Sequence, residues 1–264
     1  MNNKYKDIVS YMAMNKLFLN TDKTHVLIMT SAIHHKKQGN FGIALHTGAE
    51  TILPSENERL LGAQISNDFT WNEHVIGNDK SMVKMITSRI NALRKISWSA
   101  DFKTRKMIAN AIVMSRIIYL IQVYGTASDY LINFLQVLQN KAARVVTKLR
   151  WGTETKLLLN QVGWLSVRQL VVFHSLILVF KTKQVGKPIY LREKLRSEFA
   201  YETRQSTGNC FVKNDTLRSE KYKKAYIHNS TSLWNSLSLE VRTAVKLEDF
   251  KTKLKKWIKI NTPV

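Results

Sequence analysis

The sequence has one cysteine, three prolines and ten glycines in 264 residues. A single thiol, Cys210, excludes an intramolecular disulfide framework and any zinc site built from several cysteines, and it suits a reducing, intracellular compartment. So little proline and glycine excludes collagen-like and linker-rich architectures and favours long helices joined by short connections. Long apolar runs are missing as well. The longest, Leu170 to Phe180, is about half of the roughly 20 residues a bilayer span needs and contains His174, so it reads as a buried helix rather than a membrane segment. The opening MNNKYKDIVSYMAMNK has no apolar stretch followed by small residues, so no signal peptide is expected. Acidic residues are few: 19 Asp and Glu stand against 41 Lys and Arg.

What is present is an ordinary apolar share of 44%, enough for real cores and too much for a mainly disordered chain. The net charge of +22 and a pI near 10.1 go far beyond what solubility requires, so a polyanionic partner is expected. The excess is uneven. Residues 1–139 hold 16 basic and 10 acidic residues, a net +6, whereas 140–264 hold 25 and 9, a net +16.

Periodicity divides the chain further. Ile8, Met12, Leu17 and Phe18 fall near helical spacing over 4–18, and strand-like segments follow at His25–Thr30, Phe41–Leu45, Thr51–Leu53 and Arg59–Ser66, with turn signals at Thr47 and Gly48. A helix and a small antiparallel sheet are expected to about residue 70. Beyond Trp71 the period becomes helical. Met82, Met85, Ile86, Ile90 and Leu93 mark one helix, and Asp101 caps a second from Phe102 to about Tyr124, apolar on nearly every side from Met107. A third, Asp129 to Leu149, carries the seam Leu131, Leu135, Leu138, Ala142, Val145, Leu149. Helices are expected again at Thr155–Val162, Val167–Lys183, Ala225–Leu237 and Leu247–Ile260, with a loop or weak strand over Tyr201–Ser219.

Three basic clusters stand out. Lys141, Arg144 and Lys148 each precede a seam residue by one position, about 100° round the helix, with Arg150 just past its end. Such a stripe can follow a phosphate backbone, and it reads equally as a solvated helix face. Arg94 and Lys95 end one helix while Lys103, Arg105 and Lys106 open the next, gathering five cations at one corner. Lys251, Lys253, Lys255, Lys256 and Lys259 surround Trp257, which reads either as a stacking residue or, better, as a core anchor. Taken together, the clusters favour nucleic acid.

Catalytic chemistry is hard to find. Two-metal chemistry needs converging carboxylates, and the chain has no Asp-Asp pair; Asp7, Asp22 and Asp68 are scattered. Glu248 and Asp249 suit a helix N-terminus, and His34 and His35 lack ligand-spaced neighbours, so neither catalytic nor metal-ligating residues are assigned. His174 reads as a core histidine, Arg116 as paired or snorkelling, and Cys210 as a bystander in a polar loop.

Several segments resemble the carboxy-terminal part of reverse transcriptases from non-LTR retrotransposons of the jockey and CR1-like kind. They are LFLNTDKT from Leu17, LGAQISNDFTWNEH from Leu61, LQNKAARVVT from Leu138, VGWLSVRQLVVF from Val162, PIYL from Pro188, LWNSL from Leu233 and FKTKLKKWIKINTPV from Phe250. The resemblance implies the end of a palm and primer-grip hairpins at 1–70, a thumb helical bundle at 71–150 and a basic helical region at 151–264. The family's Tyr-x-Asp-Asp turn would precede Leu17, so the chain is expected to lack the catalytic centre of an RNA-directed DNA polymerase and to be inactive alone. Magnesium is implied only for the full-length enzyme, and no cofactor is expected for this chain.

The fold class expected is thus mostly helical α+β, with a small antiparallel sheet near the N-terminus followed by a helical thumb bundle and a basic helical C-terminal region. RNA and RNA–DNA heteroduplex are the expected partners, with neither a membrane nor a small-molecule substrate. Arg94, Lys95, Lys103, Arg105, Lys106, Lys141, Arg144, Lys148 and Arg150 are the expected phosphate contacts.

Overall fold

The computed structural model describes residues 2–30, 43–47, 51–195, 208–212 and 225–263. His34 and His35, the start of the strand expected at Phe41, the turn signal at Gly48 and most of the loop expected over Tyr201–Ser219 lie outside those residues. The protein is mostly helical α+β, as expected, and divides into two compact units, Met1–Ser81 and Met82–Val264.

The first unit opens with α1 (Asn2–Met14), which buries none of its residues; Ile8, Tyr11 and Met14 face solvent, and Phe18 beyond it is 96% exposed. Among the described residues the strands form three separate two-stranded ladders in place of one sheet. β1 (Val26–Leu27) pairs in parallel with β4 (Pro54–Ser55), while β2 (Leu45–His46) with β3 (Thr51–Ile52), and β5 (Asn57–Leu60) with β6 (Ala63–Ser66), are antiparallel. The single strand expected over Arg59–Ser66 is instead folded back on itself. Leu61 and Gly62 form its turn at φ 49° and 88°, the left-handed pair that suits the twist of a two-residue hairpin. The short helix α2 (Asn72–Val75) buries His74 and Val75, and the Gln64 N–H donates to His74 Nδ1 at 3.3 Å.

In the second unit α3 (Met82–Ile96) buries Met82, Ile86, Ile90 and Leu93, four of the five positions its periodicity marks, while Met85 is half-buried. Asp101 caps α4 (Phe102–Ala109) by accepting the Thr104 N–H at 2.9 Å. The long helix expected from Phe102 to Tyr124 is interrupted twice. A π turn spans Asn110–Met114, and after α5 (Ser115–Ile118) the chain extends at Tyr119 and turns left-handed at Leu120 before α6 (Ile121–Tyr124). Neither break has a proline to announce it. Tertiary groups support both: the Arg89 guanidinium donates to the Ile112 carbonyl in the π turn, and the buried Tyr124 hydroxyl donates to the Ile117 carbonyl.

The long helix α7 (Asp129–Thr147) packs against α3, α4, α8 (Thr155–Val162) and α9 (Val167–Val185). Partners on several sides make its buried face wider than one seam, so Ile132, Gln139, Ala143 and Val146 join Leu131, Leu135, Leu138 and Ala142 inside, whereas Val145 and Leu149 are half-buried. The Gln139 side chain is fully buried and donates to the Leu165 carbonyl at 2.8 Å, and Asn140 donates to the Thr155 hydroxyl at 2.9 Å. The start of α9 is closed by a reciprocal capping box between Ser166 and Gln169.

Among the described residues three further helices follow α10 (Ile189–Lys194): α11 (Tyr226–Ser236), α12 (Leu239–Arg242) and α13 (Leu247–Asn261). Phe180 of α9 stacks on Phe250 of α13 at 4.2 Å, beside the fully buried Trp234. No division falls at residue 150, where a boundary between thumb and tail is expected; the divide expected near 70 falls at 81. Among the described residues no single helix is long and apolar enough to cross a membrane. α8 and α9 pass that test only as a pair bent by 51°, and their apolar residues fill the core of this unit.

Candidate nucleic-acid interface

Arg105 organises the basic end of the helical unit. It enters from the second turn of α4 and is buried, which corrects its place among the expected phosphate contacts. Its Nε donates to the Val146 carbonyl at 2.8 Å and its guanidinium also donates to the Ala100 carbonyl at 2.5 Å. Its hydrogen-bonding capacity is thus directed inward, to the main chain, and it does not present a free fork to a phosphate. What it does is fasten the α3–α4 connection to the last turn of α7. The two clusters that lie some 40 residues apart in sequence are thereby brought to one place.

Around that clasp the other cations are exposed or half-buried. Arg94 and Lys95 in the last turn of α3 and Lys103 in the first turn of α4 are exposed. Lys106 is half-buried, its ammonium within 3.6 Å of where a Cβ on Gly163 would stand, beside the carbonyl end of α8. Lys141 and Arg144 lie on the side of α7 opposite its buried residues, both half-buried. The stripe does not continue as a helix to Leu149. α7 stops at Thr147, and Lys148 is its left-handed cap at φ 59°, exposed like Arg150 after it.

The electrostatics are one-sided. Segments 94–106 and 141–156 contain ten Lys and Arg against Asp101 and Glu154, and among the described residues none of the nine expected contacts is in an ion pair. Asp101 is committed to its cap: hydrogen bonds from the Thr104 side chain and then its backbone hold the carboxyl below the usual range.

Two residues at this end are missing from the sequence-based expectations. Trp98, in the α3–α4 connection, is 80% exposed, and Trp151, after α7, is 81% exposed with the Arg144 guanidinium 4.7 Å from its ring centroid. The available signal is a tryptophan in each polar connection, outside any apolar periodicity.

The remaining candidates serve the fold. In the C-terminal cluster Lys251 pairs with Glu248 at 2.7 Å and Lys253 with Asp249 at 2.9 Å, while Lys255 lies over the Phe173 ring. Phe250, Leu254 and Ile258 anchor α13, and Trp257 is only half-buried. His174 lies edge-on to Phe173, and burial holds its pKa below the usual value. Arg116 is exposed. Cys210 is buried, not lodged in a polar surface loop, and accepts a hydrogen bond from Arg242, with Lys183 nearby held down by burial and by that same arginine.

Magnesium chemistry of the kind the resembled polymerases use needs converging carboxylates, and among the described residues no three His, Cys, Asp or Glu come together to hold a metal. The described residues thus offer no set of ligands for that ion. No protein-family profile, curated protein or solved structure matches the chain. The motifs of the resemblance nevertheless fall on packing joints: Gln139 and Asn140 tie α7 to Leu165 and Thr155, Trp164 Nε1 donates to Asn110 at 2.9 Å, and Asn235 holds the backbone of Phe211 with two 2.8 Å bonds.

Proposed function

We propose that residues 82–264 form a nucleic-acid grip, the thumb-like part of an RNA-directed DNA polymerase of non-LTR retrotransposon type, holding RNA and RNA–DNA heteroduplex inside the cell and supplying no catalytic step. The observation that carries this reading is the Arg105 clasp, which ties the α3–α4 connection, with Arg94, Lys95, Lys103 and Lys106 on either side of it in sequence, to the last turn of α7, just before Lys148 and Arg150, in segments with hardly any acid. A surface of that kind binds polyanions by releasing their counterions, so affinity falls steeply with salt. The motif resemblance, and that alone, supplies the identity of the partner.

The test is heteroduplex binding by the full chain across a salt series. Changing Lys141, Arg144, Lys148 and Arg150 together to Gln lowers the salt slope by about one for each true contact. Unchanged affinity and slope sink the assignment. A second reading, an unproductive chain that self-associates, draws on the apolar surface of α1 and on Phe18. Concentration-dependent light scattering that nucleic acid does not suppress supports it.

A further inference from the structure

Tryptophan is among the residues most consistently buried over most of its surface, and elsewhere this chain conforms: Trp164 and Trp234 are buried and Trp71 and Trp257 half-buried. Trp98 and Trp151 depart from that pattern together. Each is about four-fifths exposed, and each sits in a connection beside the point where Arg105 fastens the two. Lys95 and Lys103 flank Trp98; Lys148 and Arg150 flank Trp151. The Arg144 guanidinium lies over one face of the Trp151 ring, and its buried Nε has no hydrogen-bond partner.

Wide aromatic faces among cations suit a ligand that has both flat π surfaces and a negative backbone. Unpaired nucleotides have both, whereas a duplex shows its base faces only at its ends. We propose that Trp98 and Trp151 are stacking platforms for the unpaired bases of single-stranded RNA or DNA, whose phosphates are held by Lys95, Lys103, Lys148 and Arg150. This deepens the nucleic-acid reading and rests on it, adding that the basic end takes the strand where it leaves, or has not yet entered, a duplex.

The test uses tryptophan emission of the full chain titrated with oligo(U), oligo(dT), a blunt heteroduplex and anionic phosphatidylserine vesicles. Both oligonucleotides quench the emission, and Trp98→Ala and Trp151→Ala each weaken single-strand binding by about tenfold at unchanged melting temperature, with Trp→Phe recovering part of the loss. Quenching by only one oligonucleotide still supports stacking and assigns its sugar. If the Trp98→Ala/Trp151→Ala protein binds single strands as the parent does while the Lys/Arg-to-Gln variant does not, the platforms are overturned and the grip stands. Equal, tryptophan-dependent binding of the blunt heteroduplex overturns the preference for unpaired bases. Quenching by vesicles and by neither oligonucleotide overturns both readings and makes this end a lipid-binding surface.

Discussion

Arg105 Nε donates to the carbonyl of Val146 at 2.8 Å, joining residues 41 apart, and the same guanidinium reaches Ala100. Cutting the side chain to leucine leaves two inward-facing carbonyls without their charged donor. The expected cost is about 3 kcal/mol of unfolding free energy, read by urea denaturation. Nucleic-acid affinity should fall by more than one lost cation explains, because the two loops separate. Arg105→Lys, which cannot reach both carbonyls at once, should recover only part of either property.

Lys148 occupies a left-handed position that glycine adopts without steric cost. Lys148→Gly should therefore stabilise the fold by about 0.5–1 kcal/mol while lowering the salt slope of binding by about one. Stability and function move in opposite directions. Loss of both together in thermal melts and binding titrations contradicts this role for Lys148.

The first unit should lose stability in mild acid. Burial, then the nearby Arg59, holds His74 below its ordinary value of 6.5, and its Nδ1 accepts the Gln64 N–H, which requires the neutral ring. Below about pH 6.5 the unfolded chain takes up a proton that the folded one refuses, so stability drops as pH falls from there toward the folded-state pKa. Denaturation of His74→Gln and the parent over that range should show the parent with the steeper dependence.

At the β5–β6 turn an exposed leucine holds a positive φ directly before Gly62. Leu61→Asn creates the Asn-Gly pair that such hairpins prefer, and should stabilise the first unit by roughly 1 kcal/mol in the same denaturation assay.

The helices were legible because their apolar positions repeat: Met82, Ile86, Ile90 and Leu93 are inside as spaced, and Asp101 caps where its residue type says it should. The interruptions between Asn110 and Tyr124 were not, since they depend on Arg89 and on the Tyr124 hydroxyl reaching carbonyls, and no local pattern records that. The same distinction runs through the site. The cations could be counted along the chain, but Arg105 is separated from the other eight by its contact with Val146, a residue on another helix. Trp98 and Trp151 are not legible in the sequence, because an exposed aromatic in a connection has no periodicity to betray it.

The π turn at Asn110–Met114 also sets the phase of α4. Its wider winding takes up roughly one residue more than an unbroken α-helix would, and so fixes the rotational offset between Lys103 and Lys106 on one side and Val113 and Ile117 on the other. Inserting a further residue there, beyond the one the π turn absorbs, would roll those lysines by about 100° against the core without altering one charge. The cationic end is geared to the interior by residue count, and an insertion in this short stretch would disable it as surely as neutralising its side chains.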